Sequence, residues 1–310
     1  MAAPPPITVG LPAFDGERFL AQALDSILAQ TFTEFTLVVS DNGSTDATAE
    51  IVRDYARRDP RIRLIRNREN RGAAWNHNRV FAECESPFFR WASADDMLAP
   101  TLLERSLDVL EEAPEDVVLV YPQTLVVDEE GEVLRLVEDD LAAAPGAAPH
   151  ARLLRVLRKM VYGNTVYSLV RASALRRTRL HRSFPSADYV LLAELALAGE
   201  FRRLDEPLFL RRFHPGMSLQ ANPTTADLTH WFDPRRSAVK RPQLTLFVEH
   251  LRGVRHAQLA PPQRTLAYLA CLAMWARRDA PPRARSRRAV RRLRGLAVGA
   301  VARVPGRRGR

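Results

Sequence analysis

Short runs of β-branched and other apolar residues alternate with longer segments of helical spacing along the chain as far as Tyr121. Ile7–Leu11 reads as a buried strand that ends at Pro12. In Glu17–Gln30, the residues Phe19, Leu20, Ala23, Leu24, Ile27 and Leu28 recur at steps that place them on one helical face. Strands are predicted over Phe35–Val39, Arg61–Ile65, Pro87–Trp91 and Val117–Tyr121. Helices are predicted to Arg58 after a cap at Ser44 or Thr45, over Gly72–Ala82 and over Leu102–Glu111. This alternation predicts an α/β fold with a mainly parallel sheet flanked by helices. Such sheets bind ligands beyond the carboxyl ends of their strands. Asp15, Asp41, Asn67, Asn70, Asp95 and Asp96 all follow a strand, which gathers them on one rim.

Past Tyr121 the alternation lapses. Thr124–Val127 and Glu132–Val137 flank Asp128-Glu129-Glu130-Gly131 as a hairpin, and the Ala/Pro-rich Leu141–Pro149 reads as a mobile loop. Ala187–Ala198 reads as an amphipathic helix, and Arg203–Phe213 as one strand ending at His214-Pro215-Gly216. From Asn222 onward the chain is polar, then helical, then Arg-rich. The expected division is a main domain over 1–221, a helical C-terminal extension over 222–279 and a basic tail over 280–310.

Charge changes this picture less than its total suggests. The net charge is +10, but residues 280–310 carry 11 Arg and no acid, which leaves the remainder close to neutral. A basic tail on a neutral body argues against nucleic acid as the partner, and no interleaved aromatics follow Trp275. Val290, Leu293, Ala297, Val301 and Val304 share one helical face, which suits peripheral contact with an anionic membrane. Gly295 and Gly299 weaken that helix, so a simple solvated tail fits as well. Cys84 and Cys271 lie far apart, which excludes a disulfide framework and a Cys-rich zinc site and fits a reducing compartment. The residues before Pro12 show no leader pattern, and no apolar stretch approaches the ~20 residues of a spanning helix. A cytoplasmic protein is expected, at most peripheral on the inner face of the membrane.

Candidate chemistry centres on carboxylates. Asp95-Asp96 at a strand end places two like charges side by side, which a hard divalent cation such as Mn²⁺ or Mg²⁺ would relieve. The alternative is a pair of acids offsetting a helix macrodipole. Asp41, in Ser40-Asp41-Asn42-Gly43-Ser44, could accept a hydrogen bond from a nucleotide or simply shape a turn. Asp128, Glu129, Glu130 and Glu132 read as a solvated tip, and Asp139-Asp140 as solvent-facing.

Taken together, these segments resemble the inverting glycosyltransferases of family 2, which have the nucleotide-binding, Rossmann-like GT-A fold with a mixed sheet. The matching motifs are Leu11-Pro12-Ala13-Phe14-Asp15, Asp41-Asn42-Gly43-Ser44-Thr45-Asp46, Asn70-Arg71-Gly72 with Asn78, Ser93-Ala94-Asp95-Asp96, and Ala187-Asp188-Tyr189 followed by Leu191, Leu192 and Gly199. They run in order over about residues 7 to 216. The resemblance implies a nucleotide-diphosphate-sugar donor and a divalent metal. It implies donor contacts from Pro12, Phe14, Asp15, Asp41, Asn70, Arg71, Asn78 and Asp95, and metal binding by Asp96 with His214. It implies Asp188 as the general base toward an acceptor hydroxyl on a lipid-linked glycan, a glycan or a small molecule. Ser93 stands where the family has an Asp, and His77 where many members have an Arg. Two rival readings are a sugar nucleotidyltransferase and a non-catalytic membrane- or polyanion-binding protein. The first wants a Gly-rich loop after the first strand, where only Gly16 is found; the second would not need Asp41, Asp96 and Asp188 together.

Overall fold

Strand pairing sets the architecture, seen here in a computed structural model that describes residues 4–278. The strands are β1 (Ile7–Ala13), β2 (Phe35–Asp41), β3 (Ile62–Arg66), β4 (Phe88–Trp91), β5 (Met97–Leu98), β6 (Val117–Tyr121), β7 (Thr124–Val127), β8 (Val133–Val137), β9 (Leu169–Arg171), β10 (Glu200–Arg203) and β11 (Phe209–Arg212). The helices are α1 (Glu17–Leu28), α2 (Thr48–Arg58), α3 (Ala73–Ala82), α4 (Leu102–Glu112), α5 (Pro149–Lys159), α6 (Ala172–Leu175), α7 (Ala187–Ala198), α8 (Ser218–Ala221), α9 (Thr225–Phe232), α10 (Pro242–His256) and α11 (Pro261–Arg278). The main sheet runs β10-β6-β9-β4-β1-β2-β3, with β4, β1, β2 and β3 parallel and β9 antiparallel to both its neighbours. A second sheet, β5-β11-β7-β8, stands beside it. The mixed, helix-flanked sheet agrees with the expected fold class.

The helices pack by the apolar faces that predicted them. Phe19, Leu20, Ala23, Leu24 and Ile27 of α1 are buried with Val9, Leu11 and Val39 in or beside one core cluster. Helix α2 starts at Thr48 without a side-chain cap; instead Glu17 accepts from the backbone N–H of Ala47, and Asp46 from that of Thr48. The expected cap at Ser44 or Thr45 therefore gives way to a pairing between neighbouring turns: Ser44 accepts from the Asp15 N–H, and Thr45 donates to the Asp15 carboxylate.

Four expectations for the chain beyond Tyr121 are corrected. Helix α7 is not amphipathic: Val190 through Leu197 are all buried, because Leu191, Leu192, Leu195 and Ala196 meet the sheet side while Ala193 and Leu197 meet α5, α10 and α11. Arg203–Phe213 is two strands in different sheets, parted at Leu204-Asp205-Glu206-Pro207-Leu208, where Pro207 supplies no backbone donor. Leu141–Pro149 is fastened down: the Tyr121 hydroxyl accepts from Leu141 and Ala142 N–H, and Gly146 N–H donates to Glu200 at 2.5 Å. Asp139 is buried too, contrary to a solvent-facing role.

Residues through Met274 form one compact unit, so residues 222–274 belong to the same body as the main sheet. Arg179 fixes part of that junction, bridging Glu194 of α7 and Glu249 of α10. Among the described residues no helix is long and apolar enough to cross a membrane. Cys84 and Cys271 are free and buried. The basic stretch 280–310 lies outside the described residues.

Candidate active site

The carboxyl ends of β1, β2 and β4 open into a cavity of about 370 Å³. Pro12, Phe14, Asp15, Asn70, Asp95, Asp96 and His214 line it, as does Asn42. A second cavity, of about 170 Å³, is lined by Asp188 with Tyr162, Gly163, Tyr189 and Phe232. His77, Tyr167, Arg211, Ser218 and Trp231 line both, so the two share a wall. Asp95 and Asp96 thus face one side of a partition that Asp188 approaches from the other.

Asp95 and His214 come from distant segments and meet directly, His214 Nε2 lying 3.0 Å from Asp95 Oδ2. Ser93 donates to the other oxygen of Asp95. Burial raises the Asp95 carboxyl, but the contacts from His214 and Ser93 outweigh it and leave Asp95 below the usual carboxylate range. Asp96 is buried more completely, and its Oδ1 accepts from the Arg212 backbone N–H at 2.8 Å. Burial, with the neighbouring charge of Asp95, holds Asp96 well above the ordinary range. The Arg212 side chain clamps the surroundings, donating to the carbonyls of Asp95, Asp128 and Glu129 and to Gln22. Beneath lies Arg90 on β4, fully buried, its side-chain nitrogens without hydrogen-bond partners and its pKa pushed down to about 9 by burial.

Asn42 stitches the turns after β2 and β3 together, donating to Asn70 Oδ1 and the Gly72 carbonyl and accepting from Arg71 N–H. Asp15 sits at φ 44°, a left-handed conformation held by its two bonds to the Ser44-Thr45 turn. Asp41 is fully buried beside the cavity; Oδ1 accepts from Ser44 N–H, while Oδ2 has no hydrogen bond and lies 3.5 Å from Arg66 Nε. Arg71 and Asn78 do not reach the cavity wall. Arg71 stacks over Trp75 at 4.2 Å, and Asn78 is spent on the backbone of His181, donating to its carbonyl and accepting from its N–H. His77, where a family Arg would stand, is half-buried on the shared wall, bonded to the Ala73 carbonyl and pushed down to about 4 by desolvation, hence neutral.

Asp188 lies in the first turn of α7, which follows Ser186 at φ 66°. Burial lifts its carboxyl to about 6. Gly163, at φ 66°, leaves room for it: any Cβ there would collide with Asp188 Oδ2. Gly163→Ala is therefore expected to strain the turn by about 1 kcal/mol and displace the carboxylate. With Asp188 in the base role that the family resemblance implies, turnover should fall by about tenfold or more, since a misplaced catalytic group loses rate steeply. A steady-state assay beside a melting curve checks this; unchanged turnover in a folded variant would remove the steric argument.

Several lining residues escaped the sequence reading. Asn76 is buried and donates to the Ala13 and Ser40 carbonyls, fixing the ends of β1 and β2. Tyr167 arrives on a short 3₁₀ turn, Asn164–Tyr167, which has no periodicity to detect. Trp231 lies in a mostly polar stretch, where a lone aromatic pair, Trp231-Phe232, was the available signal.

The family model for glycosyl transferase family 2 matches residues 8–181, more than half of the chain. The chain belongs to glycosyl transferase family 2. An uncharacterized glycosyltransferase of Haemophilus influenzae is 22% identical over 252 residues, covering 80% of this chain and 76% of that protein. An uncharacterized glycosyltransferase of Rickettsia felis is 27% identical over 161 residues, and the chain spans 26% of its length. The fold of this family 2 member is similar to Staphylococcus aureus TarS 1-349 solved with UDP-GlcNAc, with TM-score 0.64, 16% identity, and coverage of 88% of this chain and 74% of that one.

Proposed function

We propose that the protein is an inverting glycosyltransferase, moving a sugar from a nucleotide-diphosphate donor to an acceptor hydroxyl. The observation that carries this reading is the shared wall: an Asp95–His214 pair on one side and Asp188 on the other. TarS was solved with UDP and with UDP-GlcNAc, which supports a nucleotide-sugar in the larger cavity. Pro12 and Phe14 offer the base its apolar wall. Asp41, buried just behind that wall, keeps Oδ2 free of hydrogen bonds and faces only Arg66, so a small shift of the Asn42 turn would offer it to the base as an acceptor.

The donor set fits a divalent cation. A carboxylate oxygen and an imidazole nitrogen 3.0 Å apart suit Mn²⁺ better than Mg²⁺, which prefers an all-oxygen shell. Among the described residues no three His, Cys, Asp or Glu side chains form a ready cage, so the remaining positions would fall to diphosphate oxygens and water. Asp95 and His214 would hold the ion while Asp96 is engaged by the Arg212 backbone N–H, which moves the carboxylate ligand one residue from where the family resemblance implies it. Bound there, such an ion would supply positive charge to offset that developing on the leaving diphosphate. Asp188 takes the acceptor proton as the hydroxyl attacks from the opposite face. One base and one displacement invert the anomeric centre.

The base must be ionised to work, so its pKa sets the acid limb of the rate. With Asp188 at about 6, kcat should fall about tenfold per pH unit below that value and level off above it. A pH–rate profile flat across that region would contradict the role. The broader reading is tested by thermal shift with nucleotide-sugars with and without Mn²⁺, because a ligand that binds only the folded state raises its stability. Metal-dependent stabilisation by at least one nucleotide-sugar is expected; no stabilisation by any common one would count against it.

A further inference from the structure

A donor sugar in this site has a constrained position. Its anomeric carbon is bonded to the diphosphate on one side and open to attack on the other, so its ring must cross the wall between the cavities. Of the residues there, Trp231 presents an indole that is only partly buried, packed edge-on to Phe232 at 4.9 Å. Aromatic faces attract the C–H face of a pyranose, which is apolar although its rim is hydroxylated. Arg211, the cation of the wall, is already engaged with Asn164 Oδ1 and the Tyr162 carbonyl. Its charge also acts on Asp96, Asp139 and Asp188. The carboxylates Asp95 and Asp188 flank the wall from its two sides, so a neutral sugar is better matched than an acidic one.

The indole is held in place from outside the matched family region. Helix α9 starts in a capping box of Thr224 and Asp227. Thr229 is fully buried and accepts from Val239 N–H. At its end the Phe232 carbonyl rests against Gly72, where any Cβ would collide with it. This contact fixes α9 against the donor-side turn that Asn42 and Asn70 build.

We propose that Trp231 is the platform for the transferred sugar, a neutral pyranose, so that α9 of the C-terminal extension determines donor-sugar specificity. This rests on the glycosyl-transfer reading above. The test is calorimetric titration of the full chain with UDP, UDP-N-acetylglucosamine, UDP-glucose, GDP and GDP-mannose in Mn²⁺. Trp231→Ala should leave the nucleoside diphosphate Kd within about twofold but weaken the preferred nucleotide-sugar by about tenfold or more. Trp231→Phe, which keeps a ring, should recover to within about threefold. If the Ala variant fails to melt cooperatively, Trp231→Leu, with bulk but no ring, takes its place. Equal weakening of diphosphate and nucleotide-sugar, or no change in either, would overturn the platform. Wild-type protein that binds the diphosphates but gains nothing from any sugar overturns it as well. Wild-type protein that binds no nucleotide at all fails the underlying reading first, which keeps the two failures apart.

Discussion

Asp188→Asn is expected to lower glycosyl transfer by about 10²–10⁴-fold while leaving the donor Kd unchanged. The amide keeps the shape of the carboxyl but cannot take the acceptor proton, and Asp188 lines the smaller cavity, away from the donor turns. The same substitution should stabilise the protein. Burial lifts the carboxyl from 3.8 to about 6, so the native state binds its proton more tightly than the unfolded chain does. Stability from this group therefore falls as pH rises from about 4 to about 6, and above that range the ionised carboxylate is a standing cost. Given partial exposure, the cost is about 1–2 kcal/mol. Melting curves should show Asp188→Asn more stable than wild type at neutral pH, with the gain gone below about pH 4. A variant that loses both activity and stability would instead mark Asp188 as a packing residue.

Asp95→Ala and His214→Ala should each reduce turnover by about 10²–10³-fold, because each would remove one of the two proposed ligands of an ion that offsets leaving-group charge. Both should also raise the Mn²⁺ concentration needed for half-maximal activity. Asp96 separates the two possible assignments. Its Oδ1 accepts from the Arg212 backbone, and an amide oxygen can do the same, so Asp96→Asn should retain much more activity than Asp95→Asn. Metal titrations of the four variants decide it: a metal requirement that shifts with Asp96→Asn and not with Asp95→Asn would restore the assignment implied by the family motif.

Much of the sheet was legible because its strands are short apolar runs separated by amphipathic helices. β1, β2, β3, β4 and β6 all fall within a residue or two of the predicted spans. Strand β9 left no such trace: three residues carry no period, yet it is inserted between β4 and β6 and makes the sheet mixed. Helix α7 misled for a different reason. An element covered on both sides loses the polar stripe that marks amphipathicity, and its apolar residues alone do not reveal a second layer. The break between β10 and β11 was signalled by Asp205-Glu206-Pro207, but apolar residues on either side of it suggested one continuous strand.

The site was legible to the extent that its residues follow strands. Asp15, Asn70, Asp95 and Asp96 reach one cavity as the strand-end rule requires. His214 joins them from the end of β11, a convergence no local pattern encodes. Asn78 illustrates the opposite limit: its motif position suggested ligand contact, but its amide is fully engaged by the His181 backbone. Tyr167, Arg211 and Trp231 are tertiary additions, brought to the wall by a 3₁₀ turn, the second sheet and α9.

A structure of the Asp188→Asn protein with Mn²⁺ and a nucleotide-sugar tests the central geometry most directly. The account predicts the ion between Asp95 and His214, and the anomeric carbon at the shared wall with its free face toward residue 188. A sugar directed to solvent, or an ion held away from both Asp95 and His214, would contradict it.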